Sequence, residues 1–306
     1  MKIQHIKLSD LTKKVEEAIK NTFGSEFYWI VAEISTHKFY PNNDRHYFEF
    51  IEKVEGEMDP VAKVKGVSWQ SGSQCIKLFE KDTGQVFTNG VQVLVKVKVE
   101  YQSAFGLQLV LLDIDSSFTL GNLEKQRRET LERLVKENPD SIKKIGEEYF
   151  TKNKAIKLNA VIQNIAIIGS PNSEGYTDFT HTITNNQFHY KFAIDIYQSS
   201  VQGMEAEKEL VNKLVFVFQN STKYDCVVII RGGGAKTDFL VFDTYNLARA
   251  VARFPIPIIT GLGHHKDVSV VDLMVHTSTK TPTKAAEFII SHNRAFEDSI
   301  QFFKRT

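Results

Sequence analysis

Asp225-Cys226-Val227-Val228-Ile229-Ile230-Arg231-Gly232-Gly233-Gly234 decides how this chain is read. An unbroken apolar run rich in β-branched residues and stopped by three glycines predicts a strand buried on both faces of a parallel sheet. Glycines let the backbone adopt positive φ and turn successive N–H groups toward one anion. Arg231 stands at the mouth of that tip, where a planar guanidinium can pair two phosphate oxygens at once. The plainer reading is a tight strand-to-helix turn with a surface arginine.

The next strand, Pro257-Ile258-Ile259-Thr260, runs into Gly261-Leu262-Gly263-His264-His265-Lys266-Asp267. Groups at the carboxyl ends of neighbouring strands in an open α/β sheet converge on one crevice. One glycine-rich end carrying Arg and another carrying His and Asp are therefore expected to face the same ligand. Outward from these two, the chain from Asn159 alternates strand and helix. Ile165–Ser170, Phe192–Gln198 and the two strands above alternate with helices entered at Pro171–Asp178, through Met204–Phe218, and through Tyr245–Ala252. That order implies a mostly parallel sheet with right-handed crossovers. Thr281 caps, and Pro282 opens, a last helix that keeps its helical character to Thr306.

The amino-terminal part has a different period. Ser9 is expected to cap a helix carrying Leu11, Val15, Ala18, Ile19 and Phe23 and ended by Gly24. Five strand candidates follow: Phe27–Ile34, Arg45–Glu52, Val61–Trp69, Val91–Tyr101 and Leu107–Ile114. Their number and shortness fit a small Greek-key barrel of the oligonucleotide-binding (OB) type. Such barrels hold single strands on aromatic and basic side chains. His37, Lys38, Phe39, Tyr40, Arg45, His46 and Tyr47, around the first connection, are the candidates here. The plainer reading has the aromatics filling the barrel and the charges merely solvated. Gly121 is expected to close the barrel, Leu123–Glu137 to form a charged connecting helix, and a second short helix to run from Pro139 to about Lys154.

Bulk properties narrow the function classes only slightly. A net charge of +1 gives no global argument for a polyanionic partner, so any anion-binding face must be local. Cys75 and Cys226 have no metal-type spacing and read as reduced thiols. No apolar run approaches a membrane span, so no membrane partner is expected and the cytoplasm is the default. Neither a Walker lysine pattern nor a dinucleotide-binding glycine motif is present, which argues against a mononucleotide site.

Taken in order, Ser170-Pro171 with Asp178, Val201-Gln202-Gly203, Arg231-Gly232-Gly233-Gly234 with Asp238, Gly263-His264 with Asp267 and Asp272, and Thr281-Pro282-Thr283-Lys284-Ala285-Ala286-Glu287 resemble the large subunit of bacterial exodeoxyribonuclease VII. The resemblance implies an amino-terminal OB-fold β-barrel, an α/β domain with a mostly parallel sheet, and the start of a long carboxyl-terminal coiled-coil helix. The expected boundaries are 1–120 for the single-strand-binding barrel, 121–158 for a helical linker, 159–290 for the catalytic domain and 291–306 for the helical extension. It further implies a nuclease that trims single-stranded DNA from its ends into short oligonucleotides together with small subunits, which dock on a region largely beyond Thr306. No cofactor is strictly required in that family, and Mg2+ is optional.

Carried to matching positions, the catalytic residues fall on Asp178, Arg231, His264 and Asp267, and the phosphate-binding ones on Ser170, Gly232, Gly233, Gly234 and Gly263. Arg231 and glycine N–H groups suit charge on non-bridging oxygens, and His264 suits general acid/base work. Asp267 suits orienting the imidazole. Asp178 suits positioning water or holding a metal. Two departures stand out. The family's usual Thr-Gly-Ala after Ser-Pro is Asn172-Ser173-Glu174 here, and its Gly-His-Glu is Gly263-His264-His265. A single-stranded-DNA-binding module with an impaired crevice is the alternative these departures leave.

Overall fold

The computed structural model describes residues 5–24, 26–54, 59–200, 205–232, 236–263 and 268–305. The chain divides into two compact units, Met1–Glu124 and Lys125–Thr306.

The first unit is a closed five-stranded barrel with strand order β1-β2-β3-β5-β4. Its strands are β1 (Tyr28–Tyr40), β2 (Arg45–Glu52), β3 (Ala62–Trp69), β4 (Gln92–Gln102) and β5 (Gly106–Asp115). All the pairings are antiparallel except β3 with β5, and β1 with β4 closes the ring. Alternation in the sequence produces this directly. Val93, Val95 and Val97 point inward to meet Ile34, Phe48, Phe50 and Phe87, while the residues between them face out. A bulge between Ser35 and Lys38 in β1, with Thr36 at φ 49°, shifts the register before the strand reaches its exposed end. The barrel therefore has the OB architecture expected.

Four local expectations in and after this unit are corrected. Helix α1 (Leu8–Phe23) starts one residue before Ser9, and its N-cap, Lys7, makes no side-chain capping bond. An unforeseen helix, α2 (Ser71–Thr83), links β3 to β4 and plugs the barrel with Ile76 and Phe79. Gly121 does not close the barrel. The last strand ends at Asp115, and Gly121 lies inside α3 (Ser116–Glu137), which begins in the first unit and ends in the second. The second short helix expected after Pro139 is instead a hairpin, β6 (Ile142–Ile145) and β7 (Glu148–Thr151). Gly146 at φ 60° supplies the left-handed position of its tight turn, a signal stronger than the lysine-rich flanks that suggest a helix.

The second unit carries a parallel sheet of order β12-β11-β10-β8-β9. Its strands are β8 (Asn164–Gly169), β9 (Ala193–Gln198), β10 (Cys226–Ile230), β11 (Ile258–Gly261) and the short β12 (Thr277–Thr279). Every residue of β10 is buried, as its unbroken apolar run requires, and burial pushes the Cys226 thiol pKa up. One face is covered by α5 (Ala206–Gln219), α6 (Tyr245–Ala252) and α7 (Val270–Met274). The other is covered by α4 (Glu174–Thr184) and α8 (Pro282–Arg305), which pack Phe179, Ile183, Ala285, Ala286 and Ile289 on the sheet. Thr281 caps α8 as expected, its hydroxyl accepting from the Lys284 amide at 3.2 Å. No described helix is long and apolar enough to cross a membrane.

Candidate active site and nucleic-acid interface

The strand order fixes where a site belongs. From β8 the chain steps to β9 on one side, then crosses to β10 on the other side and continues through β11 to β12. The carboxyl ends of β8 and β10 are thus the point where winding reverses, and a crevice opens at such a point. Ser170 and Arg231 are the first residues past those two strand ends.

Helix α4 starts from the β8 tip and presses against the β10 tip. A Cβ on Gly175 would lie 2.7 Å from the Arg231 carbonyl oxygen and 2.8 Å from the Gly232 backbone; one on Gly232 would lie 2.9 Å from the Gly175 nitrogen. Only hydrogens fit there, so the amino terminus of α4 and its partial positive charge are held at the crevice. Ser173 sets that end. Its hydroxyl accepts from the Tyr176 amide at 3.2 Å and donates to the Ser170 carbonyl at 2.8 Å. Ser170 is thereby committed through its backbone to the turn.

Arg231 is 3% exposed. Its amide donates to the Gly261 carbonyl at 3.2 Å, tying the β10 tip to the β11 tip, and its guanidinium lies 4.1 Å from the centre of the Phe239 ring. Gly263, at φ 114°, completes this edge, and a Cβ there would stand 3.7 Å from Phe239 Cζ. The β11 tip is braced from below, where Thr260 donates to Asp272 Oδ1 at 2.6 Å. Asp272 Oδ2 closes a capping box with Ser269 at the start of α7. Asp272 is therefore a brace. Arg127, on α3, donates to the Val268 carbonyl and sits 3.9 Å from Asp243, whose carboxylate accepts from the Val270 amide at 2.7 Å.

Ser170, Arg231, Gly232 and Gly263 are thus brought to the carboxyl edge of one sheet. Asp178 lies in the second turn of α4, one turn beyond Gly175, exposed and with no described residue bonded to its carboxylate. Its place is inside the helix rather than at its entry. Gly233, Gly234, His264 and Asp267 lie outside the described residues. Phe239 and Gly175 carry no sequence signal of their own. Ser173 does carry one, a serine directly before a helical run, but at this point the family pattern draws the eye to the departure instead.

On the barrel, β1 and β2 sort the other candidates by face. Lys38 pairs with Tyr47 and Tyr40 with Arg45, and all four are exposed. Tyr40 and Tyr47 meet edge to face at 5.6 Å. Trp69 on β3 stands opposite Arg45, and Lys65 opposite Glu49, so the aromatic and basic strip continues on to β3. The sequence reading missed both residues, although the period-two alternation of Val61–Trp69 sets their parity.

His46 is an inward-facing residue and is 5% exposed. Phe39 stacks on it at 4.4 Å, leaving its own outer side exposed. His37 Nε2 lies 2.9 Å from His46 Nδ1, and His46 Nε2 lies 3.1 Å from Ser73 Oγ. Burial, helped by His37 and Lys77 and opposed by Asp44, lowers the His46 pKa to about 4; burial also lowers that of His37. His46 is therefore buried beneath Phe39 and His37 half-buried beside it, and burial disfavours the charged form of both.

Residues 149–306 match the family described as exonuclease VII, large subunit, and residues 6–115 match the OB-fold nucleic acid binding domain. The chain belongs to the exonuclease VII large-subunit family. Among curated relatives, the exodeoxyribonuclease 7 large subunit of Deinococcus radiodurans is 27% identical over 280 residues, 86% of this chain and 62% of the relative. That of Oceanobacillus iheyensis is 25% identical over all of this chain and 61% of the relative. That of Pseudothermotoga lettingae is 35% identical over 55% of this chain and 39% of the relative. The chain thus spans about three fifths of the length of the relatives that match along most of it. A solved structure of the mitochondrial single-stranded DNA binding protein Rim1 of S. cerevisiae covers 29% of this chain at TM-score 0.20 and 14% identity, too distant to add to the strand-level description. Within the family pattern, the Asn172-Ser173-Glu174 departure still builds a capped helix start at the crevice.

Proposed function

We propose that this chain is an exodeoxyribonuclease VII-type large subunit that holds single-stranded DNA on the barrel and hydrolyses its phosphodiester bonds, from the ends, at the crevice of the α/β unit. The observation that carries this reading is the placement of Arg231. It is a nearly buried cation at the switch point of a parallel sheet, against the amino terminus of α4, in a chain of this family. Both features favour an anion, and a fixed guanidinium is suited to the charge that builds on the non-bridging oxygens as water attacks phosphorus.

In this account a water oxygen forms the new bond to phosphorus while the bond to the leaving nucleoside oxygen breaks. His264 exchanges the protons, taking one from water and supplying one to the leaving oxygen, Asp267 orients the ring, and Asp178 positions the water. Arg231 and the glycine amides carry the developing charge. Mg2+ is an optional addition. The small subunits of the family are the proposed protein partners, residues 291–306 are the proposed start of the helical extension, and the site of action is the cytoplasm. The domain limits proposed for these roles are 1–120, 121–158, 159–290 and 291–306.

A second reading, a single-strand-binding module without catalysis, draws on the exposed Lys38, Tyr40, Arg45 and Tyr47 strip alone. End-labelled single-stranded and duplex DNA, with and without chelator, separates the two. The nuclease reading predicts short products from single strands only, in either condition, and their loss in His264→Ala. Binding without cleavage, even with small subunit added, would leave the module.

A further inference from the structure

An arginine has enough freely turning bonds that a phosphate site gains from it in proportion to how firmly its plane is held. Here the plane has a partner. Phe239 lies in the 3-10 segment Lys236–Asp243 that leads from the glycine tip to α6. Its ring centre is 4.1 Å from the Arg231 guanidinium carbon. The ring is anchored in turn: Phe242, fully buried in the core under α6, meets it at 6.3 Å in an edge contact. On the crevice side it backs on to Gly263. The cation–π contact uses the face of a guanidinium, whereas phosphate pairing uses its N–H edge, so the two do not compete for the same part of the group.

We propose that Phe239 is the positioning residue for Arg231, fixing the plane of the guanidinium so that its N–H fork meets the phosphodiester at the switch point. The inference rests on the phosphodiesterase reading above and adds to it a residue that touches no substrate. A leucine fills much of the same space but offers no π face, so the substitution removes the hold on the plane while keeping an apolar side chain. A tyrosine keeps the face.

The test compares wild-type, Phe239→Leu, Phe239→Tyr, Arg231→Ala and the Arg231→Ala/Phe239→Leu double variant of the full chain, cutting end-labelled single-stranded DNA. Thermal unfolding serves as the check on folding. Phe239→Leu is expected to lower kcat by about 10- to 100-fold, the scale of a misplaced catalytic group, with KM nearly unchanged because the barrel still holds the strand. Phe239→Tyr retains most of the rate. The double variant is no worse than Arg231→Ala, since the ring acts only through the arginine. Side-chain N–H signals of Arg231 in 15N spectra, shifted by the ring current in wild type and Phe239→Tyr and released in Phe239→Leu, report the contact without any cleavage. A folded Phe239→Leu within twofold of wild type, a Phe239→Tyr as poor as Phe239→Leu, a double variant that adds both losses, or unshifted Arg231 signals in wild type would each overturn the proposal. Undiminished cutting by Arg231→Ala would instead overturn the catalytic reading of the crevice.

Discussion

At the scale of single residues, burial separates the side chains that hold the protein together from those open to solvent. His46 sits opposite Phe39 in the ladder and looks like one more basic contact in the sequence, yet it is buried and its pKa is lowered to about 4. The sign follows. The unfolded chain binds a proton at His46 at a higher pH than the folded one, so this group favours folding above its ordinary pKa of about 6.5 and loses that contribution as pH falls toward 4. Between pH 7 and pH 5 the loss amounts to about 1–2 kcal/mol. Urea unfolding of the barrel unit at pH 7 and pH 5 should show it, and in His46→Gln the difference between the two pH values should shrink. For Tyr47 the opposite holds, because its ring is exposed. Tyr47→Ala should leave the unfolding midpoint within about 0.5 kcal/mol of wild type and weaken single-strand binding by about 1–3 kcal/mol, the value of one stacked base. Equal binding by wild type and Tyr47→Ala in a fluorescence-anisotropy titration would exclude that face.

At the scale of elements, the crevice depends on how closely α4 approaches β10. Gly175→Ala places a methyl group 2.7–2.8 Å from the backbone of Arg231 and Gly232, so the helix must move away. A cost of about 1–3 kcal/mol in stability is expected from such overpacking, with cleavage lost well beyond that measured in surface variants of α4 such as Thr182→Ala. The strand starts are held from the other edge. Asp225 accepts from the amides of Gln163 and Asn164 at 2.8 Å each, and these bonds hold its pKa down against burial, the largest influence, which pushes it up. Asp225→Ala should destabilise the unit by about 1–3 kcal/mol through the orphaned amides, measured by chemical unfolding.

The elements also mark what was legible in the sequence. Period-two alternation located all five barrel strands, and the β-branched runs located β8 to β11, because burial of one or both faces writes itself into every residue of a strand. The β6–β7 hairpin escaped because it is short and lysine-rich, with its turn carried by Gly146 alone. Helix α2 escaped because Gly72 and Ser73, poor helix formers, lie in its first turn; Gly72 is there because a Cβ would meet the Leu111 carbonyl at 2.4 Å. In the site, Arg231 was legible as the end of an apolar strand. Gly175 and Phe239 were not, since their roles exist only after α4 and the 3-10 segment fold back on the β10 tip.

At the scale of the whole molecule, the proposed function divides the labour between the two units, one holding a strand and the other cutting it. Lys38, Tyr40, Arg45 and Tyr47 are exposed on one unit, and the Arg231 crevice lies in the other. Substitutions on the barrel strip should therefore act on KM and on the salt dependence of binding, where each lost phosphate contact reduces the slope by about 0.7. Substitutions in the crevice should act on kcat. The most direct test of this account is the rate at which wild-type chain and Arg231→Ala release labelled oligonucleotides from single-stranded DNA at saturating concentration, with binding measured in parallel. The account predicts a loss of at least about 100-fold in kcat, as for removal of a group that stabilises transition-state charge, with single-strand affinity within about threefold of wild type, because binding energy lies mainly on the barrel. Arg231→Ala that cuts at the wild-type rate would place the chemistry elsewhere in the molecule.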